Sequence, residues 1–195
     1  MLKILTNPFS IYSDKKLLFS GLILFTISIL LATIFNTRRD GILDVHFINN
    51  INFSVAFAEA LINMIILSLM LYISGKIVNT KTRFLDICIT SLISLPVFMF
   101  LFFFNIKNTM SIMGNNLTGM TLDKEAMQLI FDNLILILVF ALIGILILVW
   151  FVVLAYNGFK VATNAKGTKS TLLFIVSLLV AEILSKIIFY QISIY

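Results

Sequence analysis

Residues 134–155 read LILILVFALIGILILVWFVVLA, a run without a single charged, amide or hydroxyl side chain. A helix rises ~1.5 Å per residue and the hydrocarbon core of a bilayer is ~30 Å thick, so a run of this length crosses it as a helix. In lipid, backbone donors and acceptors must be satisfied internally, which leaves only helices and closed barrels. A barrel strand would alternate polar and apolar positions over ~10 residues, and this run does not. Four further runs reach the same length: 17–35, 55–73, 85–104 and 171–190. The sequence therefore predicts an all-α membrane protein, a polytopic bundle of five transmembrane helices forming one domain over 1–195.

The rest of the chain agrees. Its 195 residues are 61% apolar and 12% charged, against about 45–50% and about 25% in soluble domains. A soluble domain of ~150–200 residues still exposes roughly 30% of its unfolded area, and that surface cannot be this apolar. The same content excludes disorder, and Cys88 as the lone cysteine excludes a disulfide scaffold. Residues 17–35 outrun the 7–15 apolar residues of a secretory signal, and Asn36-Thr37-Arg38-Arg39-Asp40 is a poor cleavage site, so the first helix is expected to be retained. No lipid anchor is expected, since neither a myristoylation glycine nor a prenylation box is read at the ends.

Lysine and arginine in short connections set orientation. Nine lie on one side (Lys3, Lys15, Lys16, Lys76, Lys81, Arg83, Lys160, Lys166 and Lys169) and four on the other (Arg38, Arg39, Lys107 and Lys124). The second side also holds Asp40, Asp44, Asp123, Glu125 and Asp132. The N-terminus is expected in the cytoplasm and the C-terminus opposite. The net charge of +5 is read as this topogenic signal, and no nucleic-acid partner is expected. Lys160, Lys166 and Lys169 form one such basic turn. Residues 1–16, with Pro8, Phe9, Ile11 and Tyr12 beside three lysines, suit a segment lying at the cytoplasmic headgroups. Residues 105–120 read as a polar loop. From Thr121, a cap residue followed by Asp123 and Glu125, with Leu122, Ala126, Leu129 and Ile130 at helical spacing, predicts a helical extension into the fourth span.

Catalytic chemistry is sparse. His46 is the only histidine, so a His-rich metal site cannot be built within one chain, and no metal or cofactor is expected. There is no H-E-x-x-H helix, metal-ligating cysteine pair or phosphate-cradling glycine loop. Ser74-Gly75-Lys76 has no histidine on its side of the membrane, and Asp86 and Asp132 lie near opposite faces. The chain is expected not to be an enzyme.

The informative residues are those a bilayer should reject. By helical rise, Glu182 lies ~17 Å and Lys186 ~23 Å from the cytoplasmic end of the fifth span, while Asn63 lies ~18 Å and Glu59 ~24 Å from the same edge on the second. Each pair is spaced i, i+4 and shares a helix face. The second and fifth spans are thus expected to pack through a polar ladder. Its structural reading is an ion pair, Glu182–Lys186 or Glu59–Lys186. Its functional reading is a proton, ion or lipid-headgroup site. The structural reading is preferred, because one compensated pair explains the residues. Pro96 is expected to kink the third span. Phe98, Phe100, Phe102, Phe103 and Phe104 are read as lipid-facing bulk or an interfacial belt, and Trp150 and Tyr156 as interface anchors. Ser28 and Ala32, then Ala141 and Gly144, are candidate close-approach positions.

Three stretches carry a family resemblance. ILTNPFSIYSDKK (4–16) resembles the proline-bearing segment before the first span of the Yip family, the Ypt-interacting-protein domain. SGKIVNTKTRFLDICITSLISLP (74–96) is similar to that family's glycine-basic turn leading into a third helix with a Leu-Pro step. WFVVLAYNGFKVATNAKGTKSTLLFI (150–175) resembles its fourth-span end, basic turn and fifth-span start. The resemblance is to compact prokaryotic members and implies five helices. Eukaryotic members are associated with Rab-type GTPases and vesicle traffic. That role does not carry over readily, since only about 16 residues precede the first span here, and a prokaryotic cytoplasmic membrane is expected instead. No catalytic set transfers. The function expected is a non-enzymatic scaffold that binds protein partners, itself or lipids, or organises the bilayer. The alternative is a small transporter, channel or lipid-translocating protein working through Glu182 and Lys186.

Overall fold

The computed structural model describes residues 2–118, 128 and 130–192. Among the described residues, five helical segments are long and apolar enough to cross a membrane: Asp14–Ile34, Phe53–Val78, Phe84–Asn115, Leu134–Thr163 and Thr168–Ile192. The first, second, fourth and fifth are single helices, named here α2, α3, α7 and α8. All extend past the purely apolar stretches at one or both ends, because hydrogen bonding continues into polar flanks such as Asp14, Lys76 and Lys160. Asn164, in the left-handed region at φ 51°, ends α7, the turn to α8 carries exposed Lys166, and Lys169 is exposed in the first turn of α8.

The third span is not one rod. It runs as α4 (Phe84–Ser94), tightens to a 3-10 turn over Leu95–Phe98, resumes as α5 (Met99–Phe102), and breaks again where Lys107 reaches φ 57°. Pro96 has no amide hydrogen and sits in the first of these turns. A third piece, α6 (Thr109–Thr118), occupies most of what reads in the sequence as a polar loop over 105–120. Asn105 anchors it: buried, it donates to the Phe35 carbonyl at 2.7 Å and accepts the Ser111 amide at 3.0 Å. The expected extension at Thr121, Asp123 and Glu125 lies outside the described residues.

Helix packing follows small and polar side chains. A Cβ on Gly158 would come within 2.5 Å of the Thr90 side chain, so α7 and α4 touch almost backbone to side chain. Gly144, by contrast, faces open space, and Ala141 is exposed. Of the expected close-approach residues only Ser28 and Ala32 are buried. Ser68 bonds Ser91 at 2.9 Å between α3 and α4, and Ser74 bonds Ser177 between α3 and α8. Phe98 and Phe102 are core residues, whereas Phe100 and Phe103 face outward.

The N-terminal segment folds as α1 (Leu2–Thr6) and a 3-10 turn at Pro8–Ser10 that buries Phe9. Its Leu5 carbonyl accepts the Trp150 indole N–H at 2.8 Å and its Thr6 carbonyl accepts Asn157 at 2.8 Å. Trp150 therefore docks this segment against α7.

Candidate functional site

At the opposite end of the bundle, residues 35–52 connect α2 to α3. Asn36, at φ 49°, turns the chain. Its carbonyl accepts the Ile48 amide and its side chain accepts Ile51 and donates to Asn108. Two short strands follow, β1 (Thr37–Arg38) and β2 (His46–Phe47), paired antiparallel with Arg38 opposite His46. The residues between them bridge α3 and α8, which pack against each other.

Glu59 of α3 is 1% exposed. It accepts Arg38 Nε at 2.7 Å and the Arg39 peptide N–H at 2.8 Å. One turn on, fully buried Asn63 donates to the Arg39 carbonyl at 2.7 Å. Arg39 itself is 6% exposed. Its guanidinium donates to the Leu95 carbonyl at 3.1 Å and the Ile42 carbonyl at 3.2 Å, and lies over the Phe98 ring at 5.0 Å. The Pro96 turn thus supplies an acceptor at Leu95. Burial pushes the Arg39 pKa down to about 10, opposed by Glu59 and Glu182, so it remains a cation at neutral pH.

Glu182 of α8 accepts the Leu43 peptide N–H at 2.9 Å and lies 3.6 Å from Lys186. Gly41 lies against it, and a Cβ there would fall 2.8 Å from Glu182 Oε1. Lys186 bonds Asp44 at 2.5 Å, and Asp44 also bonds His46 Nε2 at 2.9 Å. The His46 hydrogen bond, with Lys186 beside it, holds the Asp44 carboxyl well below the usual carboxylate range, and Asp44 in turn raises the His46 pKa.

Of the four residues read from the sequence, the structure joins Glu182 to Lys186, while Glu59 does not meet Lys186. Its partner is Arg38, because the loop descends between the helices and interposes its own cations and amides. Arg38, Arg39, Gly41 and Asp44 were not among the sequence candidates. Two signals pointed to them: an adjacent Arg-Arg pair on the side poorer in basic residues, and two intramembrane acids facing one lysine. Asp40, Asp44 and His46 bring potential metal-ligating atoms within 4.8 Å of one another. Asp44, however, already commits its oxygens to His46 and Lys186. The space beside Arg39 and Glu59 measures about 10 Å³, room for at most one water.

Five apolar helices closed by a charge-compensated loop define a multi-pass integral membrane protein. The chain belongs to the Yip1 domain family, whose model matches residues 2–188. Members of that family are generally non-enzymatic membrane proteins of trafficking. No curated protein and no solved structure matches the chain.

Proposed function

We propose that this protein is a non-enzymatic membrane scaffold that binds protein partners or organises the bilayer around it. The observation that carries the reading is how the buried polar groups are used. Glu59 and Glu182 accept backbone N–H groups of the connecting loop and lie beside Arg38, Arg39 and Lys186. The gap beside Arg39 and Glu59, about 10 Å³, is too small for a transported solute. Intramembrane charges paired in this way fasten a structure together, with Arg39 Nε, Asp40 Oδ1 and Asn63 Oδ1 the buried atoms of the cluster left without a hydrogen-bond partner.

A transport reading draws on a different feature, an open cavity of about 480 Å³ lined by Asp40, Asp44, His46 and Lys186. It lies at the outer surface of the cluster and leaves Glu59 and Asn63 unlined. The orientation proposed has the N-terminus and the basic α7–α8 turn in the cytoplasm, in a prokaryotic cytoplasmic membrane. Lipids, protein partners or a second copy of the chain are its ligands, and nucleic acid is not.

The test is gentle extraction from native membranes after cross-linking, with identification of the proteins and lipids that co-purify. A reproducible partner, self-association included, is expected. Absence of any such partner, together with solute flux in reconstituted vesicles that Glu182→Gln abolishes, contradicts the reading.

A further inference from the structure

Beneath the N-terminal segment lies a cavity of about 280 Å³, open on one side. It sits where the third span narrows to its 3-10 turn. Leu5, Tyr12, Leu24, Pro96, Phe100 and Trp150 are among the residues that line it. Its polar groups are almost all engaged. The Ser20 hydroxyl donates to the Lys16 and Leu17 carbonyls at 2.9 and 3.2 Å, and the Trp150 N–H is held by Leu5 at 2.8 Å. Water needs two to four polar partners to be held in such a space, and these walls do not offer them. In a multi-pass membrane protein the medium at such an opening is hydrocarbon.

The rim has a different character. Lys3, Lys15 and Lys16 are exposed on the stretches on either side of the lining residues Ile4 to Tyr12. Asp14, the only acid among the first sixteen residues, is paired with Arg83 at 2.7 Å. An apolar slot whose lining residues Ile4 and Leu17 adjoin exposed lysines in the chain matches a lipid chain whose headgroup carries net negative charge.

We propose that this cavity holds one acyl chain of an anionic phospholipid from the leaflet on the N-terminal side, with its headgroup against Lys3, Lys15 and Lys16. A chain moving from bilayer to cavity passes between two apolar phases, so burial alone gives no preference. The lysines supply the selectivity. The proposal stands apart from the scaffold reading, since a transporter could carry the same site.

Trp150 is the only tryptophan in the chain and lines the cavity, which provides the readout. The full chain is reconstituted in vesicles of equimolar phosphatidylcholine and phosphatidylglycerol, with the acyl chains of one lipid brominated at a time, and tryptophan quenching is measured. Brominated phosphatidylglycerol is expected to quench several-fold more strongly than brominated phosphatidylcholine. In Lys3→Gln/Lys15→Gln/Lys16→Gln, whose positions are exposed and which keeps six of the nine basic residues on that side, so that orientation is retained, the two lipids become equal. In Leu24→Phe, which fills the slot, quenching by the anionic lipid falls towards the phosphatidylcholine level. Met99→Phe serves the same purpose should the first filling variant fold poorly. Equal quenching by both lipids in the unmodified protein overturns the proposal. So does a preference that survives the lysine substitutions or the filling substitution.

Discussion

The third and fourth spans are both apolar enough to cross a membrane, yet 72% of the most apolar stretch of the third is buried inside the protein against 11% of the fourth. The buried one is broken twice, carries Pro96, and holds Thr90, Ser91, Ser94 and Asn105 inside. The exposed one is a single helix of 30 residues that presents Ile135, Leu142 and Ile145 outward. In lipid, apolarity does not drive a helix to the centre, because hydrocarbon surrounds it on either side. Irregular backbone and polar side chains are what must be sheltered. The loop cluster follows the same rule: Arg39 is buried where the Pro96 turn presents the Leu95 carbonyl.

The comparison breaks most severely at Arg39. Arg39→Ala leaves the Leu95 and Ile42 carbonyls without their donor and removes a cation near Glu59 and Glu182, at an expected cost of about 1–3 kcal/mol for each buried acceptor, read as lost yield and a lower unfolding midpoint in detergent. Arg39→Lys keeps the charge but loses the fork to two carbonyls and is expected to fall between. Full stability in Arg39→Ala contradicts the description of the cluster. Next comes packing. Gly158→Leu drives a side chain into Thr90 and is expected to cost about 1–3 kcal/mol or more. Gly144→Leu, on the same helix but in open space, is expected to stay within about 0.5 kcal/mol. Equal effects at the two glycines would remove the distinction between the packed and lipid-facing lengths of α7.

A smaller effect is pH-dependent. The His46 pKa is raised in the folded protein, so its contribution is fully present below pH 6.5 and is lost as pH rises through the raised value. The Asp44 pKa is lowered, so its contribution is present above pH 3.8 and is lost as pH falls through the lowered value. Between these limits the pair holds the hairpin, and because His46 is half exposed its share is expected to be below about 1 kcal/mol. Unfolding midpoints measured from pH 6.5 upward should decline slightly in the unmodified protein and lose that slope in His46→Gln. The smallest effect belongs to the exposed face of α7. Leu142→Ala is expected to change stability by no more than about 0.5 kcal/mol, and a larger loss would mean that this face is covered by protein.

Much of the fold was legible because five runs of apolar residues have one physical solution in lipid. Residues 134–155 needed nothing beyond their composition, whereas the helix's continuation to Thr163 runs into polar residues that the apolar run does not announce. The third span was harder, since Pro96 announces a break but not how Leu95–Phe98 and Lys107 divide the helix. Residues 109–118 hid a helix behind asparagines and a glycine, because the anchor is Asn105, whose partner Phe35 is distant in sequence. For the cluster, depth along straight helices could be counted, so Glu59, Asn63, Glu182 and Lys186 stood out. That Arg39 descends to meet them could not be counted. It depends on Asn36 turning the chain and on Gly41 allowing the loop against Glu182.

The most direct measurement is amide hydrogen exchange at Arg39 and Leu43 in the reconstituted protein. Both N–H groups should exchange slowly, like helix interiors, with Arg39 released selectively in Glu59→Gln and Leu43 in Glu182→Gln. Rapid exchange at both in the unmodified protein, as in an open surface loop, would contradict the fastening of the loop to Glu59 and Glu182 and with it the structural role given to the buried charges.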